Sequence, residues 1–278
     1  MFNVRETNNK FFANGNYGID NDEVDQFEIN SVQGYAQKAG DNEVFMQWLN
    51  LATQLAKEPD NDDIYRQICD IVDIDEYCNY MAAECYVGCN DWLTNSNNVK
   101  GFRDRNNGKF HLVFMDLDQG FTMNDMINAL QRSRNDSRYS TGRNFLIDIF
   151  LNMLRNETFQ RRFIDAYCIV AGSIFTPERV TSIITRMAET TETALSFDGQ
   201  SPWNSANSLM RTINSENNRN TRMNALRNYF GLRGGYNVSV SANIPEAEIS
   251  LGGQKIPTAR LEGPVFGNPV FTTSAPSC

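Results

Sequence analysis

The chain has 278 residues, 41% of them apolar, enough to bury a sizeable core in one large domain or two smaller ones. A formal net charge of -9 and a pI near 4.8 set much of the surface against a phosphate backbone, which excludes non-specific nucleic-acid binding. No run approaches the roughly 18 apolar residues of a membrane span, and Met1 to Lys10 is too polar for the core of a signal peptide.

Apolar residues recur at three- and four-residue intervals from Asp41 to Lys57 (Val44, Phe45, Trp48, Leu49, Leu51, Ala52, Leu55), which predicts an amphipathic helix ended by Pro59. A second helix is expected from Asp62 to Ile71. Asp73, with Glu76 three residues on, reads as the capped start of a third, from Ile74 to a stop at Gly88. Asn90 and Asp91 therefore emerge just beyond a helix C-terminus.

A polar loop, Leu93 to Asn98, precedes two strand-like runs, Val99 to Arg103 and Phe110 to Met115, joined by the turn signal Asn106-Asn107-Gly108. Asp116 and Asp118 follow at the expected exit of the second strand. The stretch Asp125 to Arg132 reads as partly helical, and Ser133 to Asn144, rich in Ser, Arg and Asn, as a loop over a site. Helical stripes then fill the chain to about Leu232: Phe145 to Leu154, Phe159 to Ile174, Pro177 to Ala194 and Asn204 to Phe230. From about Gly234 the texture changes to short alternating runs, a small all-β module.

Asn pairs at Asn8-Asn9, Asn97-Asn98, Asn106-Asn107 and Asn217-Asn218 read as turns and caps. Six cysteines occur at Cys69, Cys78, Cys85, Cys89, Cys168 and Cys278, with no CxxC pair, and His111 is the single histidine. That composition argues against a zinc site and a His-dependent triad, and the helical spacing of Cys78, Cys85 and Cys89 predicts small buried thiols.

Phosphoryl transfer asks a protein for a base near the acceptor hydroxyl, oxygen ligands for a divalent ion and an electrostatic cradle for phosphates. Asp91 after a helix, Asn97-Asn98 in a loop and Asp116 after a hairpin supply the first two in the order protein kinases use. The same residues also fit a solvated helix end, a turn former and strand-end caps. Asp116 and Asp118, two apart on an expected strand, would in addition share one face, as a carboxylate pair for glycoside hydrolysis requires.

Asn90-Asp91-Trp92, Asn97-Asn98, Arg103, Gly108-Lys109 and Phe114-Met115-Asp116-Leu117-Asp118-Gln119-Gly120-Phe121 resemble the core signature of the CotH proteins, atypical kinases named for a spore coat protein. Glu157-Thr158-Phe159 with Arg162-Phe163, and Asn218-Arg219 through Leu232, resemble that family's later helices. The resemblance implies an α+β fold, a mainly helical protein-kinase-like C-lobe with a β-hairpin at the active site, in a domain over residues 1–232. A partial β module would follow over 233–278, of a kind appended to relatives from gut bacteria.

The function implied is Mg²⁺-dependent transfer of phosphate from ATP to Ser or Thr of a protein substrate. Asp91 would be the catalytic base, Asn98 and Asp116 would bind nucleotide and metal, and Asp118 would be a further metal ligand; Trp92 would pack against the loop. Two departures stand out. The gap between Asp91 and the Asn pair is longer here, which leaves Asn95, Asn97 and Asn98 all open as the metal ligand, and Gly120-Phe121 inverts the family's Phe-Gly order. Phe2 to Glu6 resembles a strand near the end of the nucleotide-binding lobe, so the strands and basic residues that would contact phosphates are expected upstream, and no GxxxxGK[ST] or GxGxxG replaces them. Relatives with such β tails are often exported, which implies a cell-surface location. A different class is a surface-associated structural or binding protein that keeps the kinase-like fold without catalysis.

Overall fold

The computed structural model describes residues 7–106, 108–135, 145–244 and 246–274. Phe2 to Glu6, Asn107 of the expected turn, most of the Ser133 to Asn144 loop and Cys278 lie outside the described residues. The architecture is mixed α and β, as expected. Two compact units divide the described residues, one reaching Phe163 and the other beginning at Ile164. That cut falls inside a helix, whereas the expected division at 232/233 marks the place where helices give way to strands.

The first unit begins with elements that the sequence pattern did not announce: α1 (Lys10–Tyr17), β1 (Val24–Asn30) and β2 (Gly34–Ala39). Helix α1 carries two Asn and a Gly, poor helix formers, and is held by its ends. Asn9 caps it by accepting from the Phe11 and Phe12 amides, and Gly18 closes it at φ 70°. Strand β1 buries nearly every residue, so the alternation that marks a half-exposed strand is missing.

These strands join β3 (Val99–Asp104) and β4 (His111–Leu112) in an antiparallel sheet of order β2-β1-β3-β4. Phe27 lies opposite Gly101, where an added Cβ would come 2.4 Å from the Phe27 ring; only glycine lets the ring lie flat on the sheet. From Phe27 a chain of rings runs through Phe45, Phe110, Trp48, Tyr77 and Phe159, with successive centroids 4.7–6.0 Å apart. Burial of each such side chain contributes about 2–3 kcal/mol.

The helices follow their sequence signals closely. Helix α2 (Glu43–Leu55) buries Phe45, Trp48, Leu51, Ala52 and Leu55, and α3 (Asp62–Ile71) buries Ile64, Ile68 and Ile71. Helix α4 (Ile74–Val87) starts at Asp73, whose carboxylate accepts from the Asp75 and Glu76 amides, and ends at Gly88 in the left-handed region at φ 63°. Glu76 does not return to the cap as a capping box would; it bonds His111 Nδ1 instead, at 2.9 Å. Helices α5 (Met126–Arg134), α6 (Phe145–Met153) and the first part of α7 (Glu157–Ile169) complete the unit.

The second strand of the hairpin is shorter than expected. Pairing ends with the Leu112 register and one further bond, Val113 N–H to the Lys100 carbonyl, and residues 113–117 run on without a partner strand. Their path is set by what they reach next, the end of α4, rather than by β3.

In the second unit a π-helical turn (Val170–Ile174) leads to α8 (Pro177–Ser196), α9 (Trp203–Asn214) and α10 (Glu216–Tyr229). The expected single helix over 204–230 is two: Ser215 leaves helical geometry at ψ 119° and its hydroxyl caps α10 through the Asn218 amide. The β module comprises β5 (Tyr236–Ser241) paired with β8 (Arg260–Val265), and β7 (Gln254–Lys255), β6 (Glu248–Leu251) and β9 (Phe271–Ser274) in a second sheet. It is tied to the π turn by a 2.6 Å bond between the Ser173 and Thr258 hydroxyls.

Candidate functional site

The site is built where α4 ends. At Gly88 an added Cβ would stand 1.9 Å from the Met123 carbonyl oxygen, so the helix stop is also the point at which the 116–123 segment crosses. That segment is stitched on by backbone: Phe121 N–H donates to the Val87 carbonyl at 2.6 Å and Met123 N–H to the Gly88 carbonyl at 3.0 Å. The Thr122 hydroxyl donates to Gln119 and Gly88 carbonyls and accepts from the Asn90 amide at 3.3 Å. Gly120 is pressed against Val87 Cγ1, 2.8 Å from where its Cβ would be, and Phe121 takes φ 61° to present its amide to Val87. The Gly-Phe order has a local physical use here.

Asp91 lies three residues beyond Gly88, half-buried. Its side chain is held from the loop: Asn97 Nδ2 donates to Oδ2 at 3.2 Å, while Asn98 Nδ2 donates to Oδ2 at 3.2 Å and to the Asp91 carbonyl at 2.9 Å. Asp91 and the Asn pair are thus in direct contact. Asn95 is exposed at the far end of the 3₁₀ turn Leu93–Asn95 and joins no such bond among the described residues. The loop closes on itself through Asn95 and Asn97 amides to the Trp92 carbonyl and Thr94 Oγ1 to the Asn90 carbonyl. Trp92 is 1% exposed and donates from Nε1 to the Tyr80 hydroxyl at 3.1 Å, so it packs as expected.

Asp116 and Asp118 are exposed, and among the described residues neither carboxylate takes a hydrogen bond or an ion pair. Burial raises the pKa of the Cys89 thiol, the Asp91 backbone amide lowers it, and the charges of Glu84, Asp91 and Asp118 raise it further, so each of the two site acids lies within electrostatic reach of Cys89. Asp116 is not bonded to Asp91 or Asn98, and no three His, Cys, Asp or Glu side chains among the described residues gather closely enough to hold a metal by themselves. The paired-carboxylate geometry expected for glycoside chemistry is overturned. Asp116 turns at φ 56° and Asp118 lies in a turn, so the two do not share one face of a strand.

Four of the five non-glycine residues with positive φ among those described lie in this small region: Ser96 (52°), Asn98 (55°), Asp116 (56°) and Phe121 (61°). Each such conformation costs about 1 kcal/mol or more and persists only where surrounding contacts impose it, which is commonest at functional sites. Asn and Asp tolerate the region best, because a short polar side chain can bond locally.

Arg103 of the signature serves the fold. Its guanidinium donates to Asp25 Oδ2 at 2.7 Å and to the Gly108 and Arg105 carbonyls, while Arg105 bonds Asp25 and Asp41. The Asp25 side chain is 3% exposed, so this is a buried, fully bonded clamp that fixes the β3–β4 turn. Cys78, Cys85 and Cys89 are buried thiols, as expected, and burial raises the Cys85 thiol pKa.

Sequence reasoning missed Gly88 as a crossing point, Thr122 as the rivet between the two segments, and Glu84, which lies fully buried one turn before Gly88. The signal for Gly88 was present, since a helix stop immediately before a candidate base leaves little room for anything else. Nothing local marks Thr122. No helix among the described residues is long and apolar enough to cross a membrane. No curated protein and no solved structure matches the chain. The family model described as CotH kinase protein matches residues 3–236, most of the chain and all of the site just described, and this chain belongs to the CotH kinase family.

Proposed function

We propose that the protein is a Mg²⁺-dependent protein kinase that transfers phosphate from ATP to a Ser or Thr hydroxyl of a protein substrate, with Asp91 as the base. The observation that carries this reading is the bonding of Asp91 to both loop amides. Asn97 and Asn98 fix the carboxylate through Oδ2 and leave Oδ1 facing no donor among the described residues, open to an acceptor hydroxyl. Asp91 takes the hydroxyl proton as the oxygen attacks the γ-phosphorus and ADP departs.

Asn98 commits its Nδ2 to Asp91, which leaves its Oδ1 for a cation, and Asp116 and Asp118 carry carboxylates that are unpaired among the described residues. Hard oxygen donors of this kind suit magnesium, so Asn98, Asp116 and Asp118 are the residues that would hold it, with Asp116 and Asn98 also facing the nucleotide. Magnesium, when bound, neutralises charge that builds on the phosphates. Strain at Asn98 and Asp116 accords with side chains held where a ligand needs them. In this reading residues 1–232 are the kinase-like domain, with its C-lobe architecture, and the β module beyond them attaches the protein at a bacterial cell surface.

Replacing Asp91 by Ala should lower phosphate transfer to a protein acceptor by about a thousandfold. Transfer at the wild-type rate would remove Asp91 from the mechanism. One observation favours a second reading: among the described residues the acids do not by themselves gather into a metal cluster. That suits a non-catalytic surface protein with a kinase-like fold. Calorimetric titration of ATP with and without magnesium separates the two, since metal-dependent binding is expected only of the kinase.

A further inference from the structure

Helix α4 carries a carboxylate that the proposed reaction does not use. Glu84 is 0% exposed, and neither carboxyl oxygen has a hydrogen-bond partner among the described residues. The Tyr80 hydroxyl, one helical turn earlier, is close enough to lower the carboxyl pKa but falls short of hydrogen-bond geometry. An ionised carboxylate in such a place would be unsolvated and unpaired, and buried groups of this kind keep their proton instead. Burial accordingly pushes the Glu84 pKa up to about 8.

The neighbours of Glu84 are the supports of the Asp91 loop. Tyr80 accepts from Trp92 Nε1 at 3.1 Å, and Trp92 adjoins Asp91 in sequence and accepts the Asn95 and Asn97 amides at its carbonyl. The other ionisable groups that bear on this pocket are Cys85 on α4 and Cys89 in the loop, with Asp125 before α5 acting on Cys85, and Asp91 and Asp118 acting on Cys89. Tyr77 acts on Tyr80 from within α4. Burial raises the pKa of the Cys85, Cys89, Tyr77 and Tyr80 groups as well, so none of them offers Glu84 a positive partner, and burial remains the cause that holds its proton.

We propose that Glu84 is a positioning residue that works in its protonated form: the neutral acid lets Tyr80 hold the Trp92 indole and the Asp91 loop in place, and loss of the proton to water loosens that loop. The effect on catalysis rests on the phosphotransfer reading, whereas the effect on the loop does not. The folded chain holds the Glu84 proton to a higher pH than the unfolded chain, so stability from this group is complete below the ordinary carboxylate range and is lost as pH rises toward about 8.

The test compares wild type with Glu84→Gln in thermal unfolding from about pH 5.5 to about 9, where the unfolding constant of wild type relative to the variant should rise by up to about tenfold per pH unit and level off near the top. Amide hydrogen exchange over residues 89–98 should be equal in the two proteins at the acid end and faster in wild type at the alkaline end. A difference in unfolding that is constant with pH, or equal exchange throughout, overturns the proposal. Should Glu84→Gln fail to fold, Tyr80→Phe removes the hydroxyl that lowers the Glu84 pKa and should shift the pH midpoint of stability upward; an unmoved midpoint has the same overturning force. If phosphate transfer is absent while these profiles hold, the kinase reading falls and the role of Glu84 stands.

Discussion

The two halves of the candidate site are held in opposite ways. In the Asp91 half, side chains do the holding: two amides grip one carboxylate oxygen, an indole anchors the loop to α4, and the loop bonds its own carbonyls. In the Asp116 half, backbone does it, through Phe121 and Met123 amides laid on the end of α4, and the acidic side chains stand exposed without partners among the described residues. The contrast suits a division of labour in which a base must be oriented before substrate arrives and metal ligands must stay free for the ion.

The two halves meet at Gly88. Gly88→Ala adds a methyl into the Met123 carbonyl at a residue with φ 63°, and we expect a loss of about 3 kcal/mol in chemical denaturation, with both segments released together. A loss below about 1 kcal/mol would mean that the two segments are independent. Next in size is the pair Asn97→Ala and Asn98→Gly. If Asn98 is the metal ligand, Asn98→Gly weakens magnesium-dependent ATP binding at least about tenfold in calorimetry, whereas Asn97→Ala costs about 1 kcal/mol of stability and leaves binding within about threefold. The reverse pattern would exchange their roles. The smallest effect sharpens the contrast most: Asp116→Gly relieves the strain at φ 56° and should raise stability by about 0.5–1 kcal/mol while it abolishes metal-dependent binding. A destabilised Asp116→Gly would show that Asp116 supports the fold.

The helical part of the fold was legible because each helix writes its own ends. Asp73 before α4 and Gly88 after it are read correctly from residue type alone, since capping and left-handed stops depend on atoms within a turn of the helix end. Helix α1 and strand β1 were not, one because poor helix formers are held there by capping, the other because burial on both faces erases alternation. The break at Ser215 was hidden by an apolar stripe that runs on through it.

The order Asp91, Asn98, Asp116 along the chain, and the family it points to, are properties of the sequence itself, because motif spacing between a helix stop and a hairpin survives as a linear pattern. Where those groups stand is set instead by contacts between distant segments. Asp116 and Asp118 leave the expected strand because residues 113–123 find more backbone partners on the end of α4 than on β3, and Arg103 faces a buried Asp25 that lies 78 residues away in sequence. Contacts between segments so far apart have no local signature, since a hydrogen bond is indifferent to the length of chain between its partners.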